Sequence, residues 1–332
     1  MKLVCSLVLS LIACSTFAQK IIGSETVTPR MRVIIDNDFG GDPDGLFQLA
    51  HHLLSPSVEV RAIIGSHLSV QDGFDPSKTQ AQNAARAAKE LVDAMGLKTS
   101  IPILAGSEVA MVNDSTPVKS EAVDFIVKEA LRPDTKLPLY VVCGAGLTEI
   151  ASALLINPEI ASTLTLIWIG GPEYTDLALP PPNYSTPEYN LNIDVSAARV
   201  VFNRSTVPVW QVPRNAYRQC IIPYSMLLLN VKPHGKTGAY LTGAVEDLMK
   251  RVRGFVNIGE TYILGDSPLV LLTALQTGFE ADPASSFYVL KTSPLITAQG
   301  TYAVNQSGRL IRVYNDLDVD MMFDDFLPSL NY

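Results

Sequence analysis

Asp36, Asp38, Asp42 and Asp44 stand together in one short run, DNDFGGDPDG. Carboxylates packed this closely repel one another unless a cation, bound protons or hydrogen-bond donors offset the charge. An all-oxygen set of this kind suits a hard cation such as Ca²⁺. The same acids would also serve a solvated turn or the N-caps of a following helix, and residue types alone leave these readings open. The four histidines are His51, His52, His67 and His234. His67 closely follows the apolar run VEVRAIIG, at the strand end where a parallel sheet binds its ligands, and is a candidate catalytic group. His51 and His52 fall on a helical pattern and read as packed or solvated. His234, in KPHGKTG, reads as part of a mobile flap. Cys143 closes the apolar run LYVVC and reads as a small buried residue rather than a nucleophile.

The elements that must position these groups alternate. Arg32 to Asp36 (RVIID) is a β-branched run that leads directly into the acidic loop, and Leu46 to Leu54 after the loop is helical. Strand-like runs follow at Val58 to Gly65, Ile101 to Ala105, Leu139 to Cys143 and Leu164 to Gly170. Helical patterns lie between them at Thr79 to Met95, Glu121 to Leu131 and Thr148 to Leu155. This alternation predicts an α/β fold, a mostly parallel central sheet with helices on both faces. Such a sheet places the acidic loop at its carboxyl edge. Trp168, inside an apolar strand, reads as core. PPPNYSTP, from Pro180 to Pro187, is a long surface loop and not a linker, because regular patterns continue on both sides. One domain is expected from residue 30 to residue 332.

Bulk properties bound the partners. Hydrophobic residues make up 47% of the 332 and charged residues 17%, which favours a large core over disorder. A net charge of −8 argues against a nucleic-acid groove, which needs clustered Lys and Arg. It leaves room for a small neutral ligand or a cation. Residues 1–18 are expected to be a targeting segment: Lys2 precedes an apolar stretch, Leu3 to Ala13, too short to span a bilayer. Cleavage after Ala18 is the favoured processing. The run Leu11, Ile12, Ala13, Cys14 also fits a lipoprotein signal, which would leave a lipid anchor at Cys14. Either route exports the chain to the periplasm or beyond. Of the four cysteines, only Cys143 and Cys220 then remain in the mature body, too few for a disulfide framework.

Several short motifs follow one another along the chain. DNDFGGDPDG resembles a longer form of D-T-D-P-G-x-D-D. Asn83 with Ala84, then PILAG (Pro102 to Gly106), AVDFI (Ala122 to Ile126), GLTEIA (Gly146 to Ala151) and Gly170-Gly171 follow. Glu188, Tyr189 and Asn190 with Asp194, Ala197 and Ala198 come next. In this order the series resembles the inosine-uridine nucleoside hydrolase family, which has a Rossmann-like fold, over most of the mature chain. The resemblance implies hydrolysis of the N-glycosidic bond of ribonucleosides with the help of Ca²⁺, in nucleoside salvage. It implies that Asp38 binds the metal and helps to deprotonate the attacking water. Asp42 or Asp44 supplies the next carboxylate: we assign Asp44 to the metal and Asp42 to the substrate. The backbone near Gly144 and Asp266, in GDSP, complete the implied metal set, and Asp266 read without the resemblance is an N-cap. Glu188 and Asn190 are implied to hold ribose hydroxyls. Tyr184 and Tyr189 are candidates to stack on the aglycone. The expected partners are a small ribofuranoside and further copies of the same chain.

Three positions depart from the family pattern. Gly45 replaces the last Asp of the opening motif, Gly265 stands where a His often precedes the late Asp, and Ser66 stands where Asn is usual. Without that His, which gives a proton to the leaving base, His67 is the expected substitute. The departures keep two other outcomes open: a furanosidase for another aglycone, and a sugar- or nucleoside-binding protein without turnover.

Overall fold

The structure, a computed structural model, describes residues 26–182, 184, 187–276 and 286–331. The expected targeting segment, with Cys14 and Ala18, lies outside them. Eight strands form the central sheet. The first six are β1 (Met31–Asn37), β2 (Val58–Gly65), β3 (Ile103–Ala105), β4 (Leu139–Cys143), β5 (Leu164–Ile169) and β6 (Val209–Val212). Their order is β3-β2-β1-β4-β5-β6, followed by Leu310–Leu317 and, at the edge, Ser286–Thr292. All pairings are parallel except the last, where Ser286–Thr292 runs antiparallel to its neighbour. Helices α1 (Asp44–Leu54), α2 (Gln80–Ala94), α3 (Glu121–Ala130) and α4 (Thr148–Ile156) fill the connections between the early strands. The α/β expectation is met, and element ends move by one to two residues.

β1 explains why the sheet forms where it does. All seven of its residues are buried, as in a parallel strand covered on both faces. Val33 and Ile35 point into a core with Phe47 and Leu49 of α1 and Leu91 of α2. Ile34 points the other way, into a core with Ile126 of α3 and Ile150 of α4. This is the two-residue period of a strand between two helical layers. Arg32, the charged residue of the run, is held by Glu129 at 2.6 Å and by the Leu137 and Glu129 carbonyls.

The order reverses between β1 and β4. β2 and β3 lie to one side of β1, and β4, β5 and β6 to the other. At such a switch point the connections leave in opposite directions, and a crevice opens beyond the strand ends. The acidic loop leaves β1 there, and Gly144 leaves β4. Trp168 is fully buried, and so are Cys143 and Cys220, both free thiols whose pKa burial pushes up. The KPHGKTG segment is not a flap: His234 stands at the N-cap position of the helix Gly235–Val252, and the GKTG that follows is its first turn. Among the described residues no helix is long and apolar enough to cross a membrane.

Candidate active site

A cavity of about 290 Å³ opens at the switch point. Asp38, Asp42 and Asp44 from the acidic loop line it, with Gly144 after β4, Glu188 and Asn190 beside the short helix Tyr189–Ile193, and Asp266. Seven predicted residues from four distant stretches of chain therefore meet in one place. The acidic loop is shaped by its own backbone: Gly41 N–H donates to the Asp38 carbonyl at 2.7 Å, and Gly45 N–H to Asp44 Oδ1 at 2.9 Å. Asn37, which sequence reasoning passed over, ties the floor together. Its Oδ1 accepts from Asp38 N–H at 2.8 Å, and its Nδ2 donates to Asp266 Oδ2 at 2.9 Å and to Gln48 Oε1 at 3.2 Å.

Asn37 also accounts for the missing acid at position 45. A Cβ on Gly45 would lie 2.8 Å from Asn37 Nδ2, and one on Gly144 would lie 2.4 Å from the same atom. The carboxamide fills the space from which an Asp at 45 would have to emerge. Where an Asp at 45 is expected, the space is taken by a neutral donor.

The electrostatics of the floor are one-sided. Burial raises the pKa of Asp38 well above the carboxylate range, and its neighbours Asp266, Asp42 and Asp72 raise it further. Asp44 is raised likewise, by burial and then by Asp266, Asp42 and Asp38. Asp42 is pushed up to about 6 by burial, although the Tyr262 hydroxyl donates to its Oδ1. Asp266 is pushed up to about 7 by burial, against the relief of the Asn37 bond. A divalent cation would relieve this repulsion, and the donors are all oxygens, so a hard ion fits them in kind. Among the described residues, no three His, Cys, Asp or Glu side chains are already gathered as ligands of one ion.

The two ribose candidates are held from behind. Asn190 Nδ2 donates to the Gly144 carbonyl at 3.0 Å and to the Ile169 carbonyl at 2.8 Å. With both hydrogens spent, its amide offers a ligand only Oδ1. Glu188 Oε2 accepts from Gly171 N–H at 2.7 Å and Leu191 N–H at 2.9 Å, and Oε1 accepts from the Tyr217 hydroxyl at 2.9 Å. Burial raises its pKa.

His67 is not brought to the cavity. It is buried, with Nδ1 2.8 Å from the Leu68 carbonyl and Nε2 3.0 Å from Thr148 Oγ1. The position after β2 was read correctly, but the turn sends the side chain inward. Ser66 serves the same interior, donating to Asp36 Oδ1. Asp36 therefore lies behind the floor and not in it. His51 and His52 are packed: His51 bonds Asp325 at 2.9 Å, and burial drives His52 down to about 3. Tyr189 does line the cavity, its hydroxyl donating to Asp72 at 2.8 Å, whereas Tyr184 lies over the Arg214 guanidinium at 3.8 Å. Tyr217, Tyr262 and Phe74 belong to the site and carried no motif.

A family model described as inosine-uridine preferring nucleoside hydrolase matches residues 33–324. No curated protein sequence matches the chain. Among solved structures, a purine-preferring ribonucleoside hydrolase from Gardnerella vaginalis is similar with a TM-score of 0.71 at 20% identity, covering 90% of this chain and 98% of that one. A plant nucleoside hydrolase is similar with a TM-score of 0.69 at 17% identity, covering 91% and 99%. An inosine-uridine preferring nucleoside hydrolase from Bacillus anthracis has a TM-score of 0.62 at 15% identity, with coverage of 91% and 99%. At these identities the structures attest the fold.

Proposed function

Because the chain belongs to the inosine-uridine preferring nucleoside hydrolase family, glycosidases of N-glycosyl bonds, we propose that it hydrolyses ribonucleosides with the help of a divalent cation, Ca²⁺. The observation that carries the reading is the meeting of Asp38, Asp44, Asp266 and Gly144 in one buried cavity at the switch point. Asp38, Asp44, Asp266 and the Gly144 carbonyl would hold the ion. When bound, it would supply the charge that eases deprotonation of water and orients the sugar diol.

The chain's own residues do the rest. Asp38, fixed through its N–H by Asn37, accepts the proton of the attacking water. Asp42 and the Oδ1 of Asn190 take sugar hydroxyls, and Glu188 sets the wall beside them. Positive charge developing on the ribosyl ring as the bond to the base stretches is met by buried carboxylates that are already in place. A proton donor for the base is missing from position 265 and from His67. This favours leaving groups that depart as stable anions. Export through residues 1–18 and assembly with further copies belong to the same proposal.

The test is release of base from inosine and uridine, and of p-nitrophenolate from p-nitrophenyl riboside, by the purified mature protein with Ca²⁺ or with a chelator. We expect cation-dependent cleavage, fastest for the nitrophenyl riboside. Cleavage of none of the three would overturn the function, and full activity in chelator would overturn the cation's part in it.

A further inference from the structure

The space in front of Gly265 is not empty. A Cβ built on Gly265 would meet Asp44 Oδ2 at 3.2 Å and Tyr217 Cδ2 at 3.3 Å. Tyr217 arrives from the one-turn helix Arg214–Tyr217 after β6 and is half-buried among the residues that line the cavity. Its hydroxyl and its backbone are both held. The hydroxyl donates to Glu188 Oε1 at 2.9 Å, and the Tyr217 carbonyl accepts from Cys220 N–H at 3.2 Å. Cys220 in turn accepts from Leu264 N–H at 2.8 Å, which ties this segment to the one that carries Gly265. The helix itself is anchored where Arg214 meets Glu173 in a buried bidentate pair at 2.8 and 2.5 Å. A Cβ at 265 would press on Asp44 and on the edge of the Tyr217 ring, so a larger side chain there could not be seated unless one of them moved.

We propose that Tyr217 is a specificity-determining residue, an aromatic wall that takes the place of the side chain absent at 265 and receives a planar heteroaromatic aglycone. The assignment rests on the nucleoside reading of the site. Phe74 and Ile263 line the same cavity and extend its apolar part. A rigid ring held at its hydroxyl offers a flat base contact area with little ordering cost, and offers an open-chain or sugar aglycone far less. Because the hydroxyl is spent on Glu188, Tyr217 selects the base by shape and does not protonate it.

Binding separates this role from a merely structural one. The probes are 9-deazainosine, whose carbon–carbon glycosidic bond resists hydrolysis, and D-ribose, each titrated calorimetrically into the Ca²⁺-loaded protein. Stacking of a base on an aromatic side chain is worth about 1–3 kcal/mol on truncation. Tyr217→Leu, which keeps bulk without the ring, should therefore weaken 9-deazainosine about tenfold while ribose moves less than twofold. Tyr217→Phe, which removes the bond to Glu188 but keeps the ring, should leave the ratio of the two affinities within about threefold of the parent's. Equal weakening of both ligands in Tyr217→Leu, with Tyr217→Phe normal, would show a structural role and overturn the assignment. So would unchanged 9-deazainosine binding in Tyr217→Leu. If the parent binds ribose but not 9-deazainosine, the nucleoside reading fails and takes the assignment with it.

Discussion

Two clusters of buried acids lie back to back at the carboxyl end of β1, and they are finished differently. Behind the strand, Asp36 accepts from Ser66, Glu149 accepts from Ser107 N–H at 2.7 Å, and Asp194 accepts from Thr148 Oγ1, Met111 N–H and Ala197 N–H, each at 2.8 Å. His67 closes that network onto Thr148. In front, Asp38 is surrounded by Asp266, Asp42 and Asp72, and relief comes from its own backbone N–H. Burial raises the carboxyl pKa values of Asp36 and Glu149 behind the strand as it does those of the front acids, but the rear acids are enclosed among side chains and backbone, whereas the front acids line a cavity that a cation can enter. Acid density does not distinguish structure from site; access from the cavity does.

Substitutions should separate the clusters. The largest effect is expected for Asp38→Ala, which removes the proton acceptor at the cavity floor. Loss of general base catalysis is typically worth about 10²- to 10⁴-fold, so kcat for nucleosides should fall by that much. The melting temperature should hardly move, because the carboxylate is repelled by its neighbours. A well-folded Asp38→Ala protein with near-parental kcat would erase the contrast.

Asp194→Ala is the mirror experiment. It strips the partner from three buried donors, and unpaired buried groups cost roughly 1–3 kcal/mol each, so a loss of about 3 kcal/mol is expected in denaturant unfolding. Activity per folded molecule should survive. Equal stability with lost turnover would place Asp194 in the front cluster.

His67→Ala tests the same boundary more gently. A destabilisation of about 1–3 kcal/mol is expected from the Leu68 carbonyl, which loses its partner, while Thr148 keeps Asp194. The ratio of kcat/KM for inosine to that for p-nitrophenyl riboside should stay constant. A selective loss on inosine would restore His67 as proton donor.

A smaller signature lies in pH. Asp266 and Asp42 have folded pKa values raised to about 7 and about 6, above the unfolded carboxylate range near 4. The folded state then holds more protons than the unfolded state between these values, so stability falls as pH rises from about 4 to about 7. This contribution is present at low pH and lost above about 7, opposite to that of a salt-bridged acid. Urea unfolding in chelator at several pH values should show it, and Asp266→Asn should flatten it. A slope that rises with pH, unaltered by Asp266→Asn, would mean that the front acids are already neutralised inside the protein.

The regular elements were legible because β1 and its neighbours are apolar runs with sharp ends, and a parallel order fixes which end carries the ligand. Asp38, Asp42, Asp44, Gly144, Glu188, Asn190 and Asp266 could be placed because they sit on ordered motifs at those ends. Three other residues could not. Asn37 looks like an ordinary strand end until the glycines at 45 and 144 are seen to make room for it. Tyr217 comes from a one-turn helix without periodicity, and Tyr262 from a three-residue strand, Thr261–Ile263. His67 shows the opposite failure, since its location followed from topology but the direction of its side chain depends on packing with Thr148. The flap expected around His234 failed because a long amphipathic helix starts there, and its apolar face packs Leu241, Val245 and Leu248 into the core.

The contrast between the two clusters is tested most directly by Ca²⁺ titration calorimetry on metal-free parent, Asp38→Asn and Asp36→Asn proteins, with circular dichroism to certify the fold of each. The account predicts one Ca²⁺ per chain for the parent, binding lost or weakened at least tenfold in Asp38→Asn, and binding retained in Asp36→Asn once folded. No heat of binding in the parent, or the same affinity in the parent and Asp38→Asn, would contradict it.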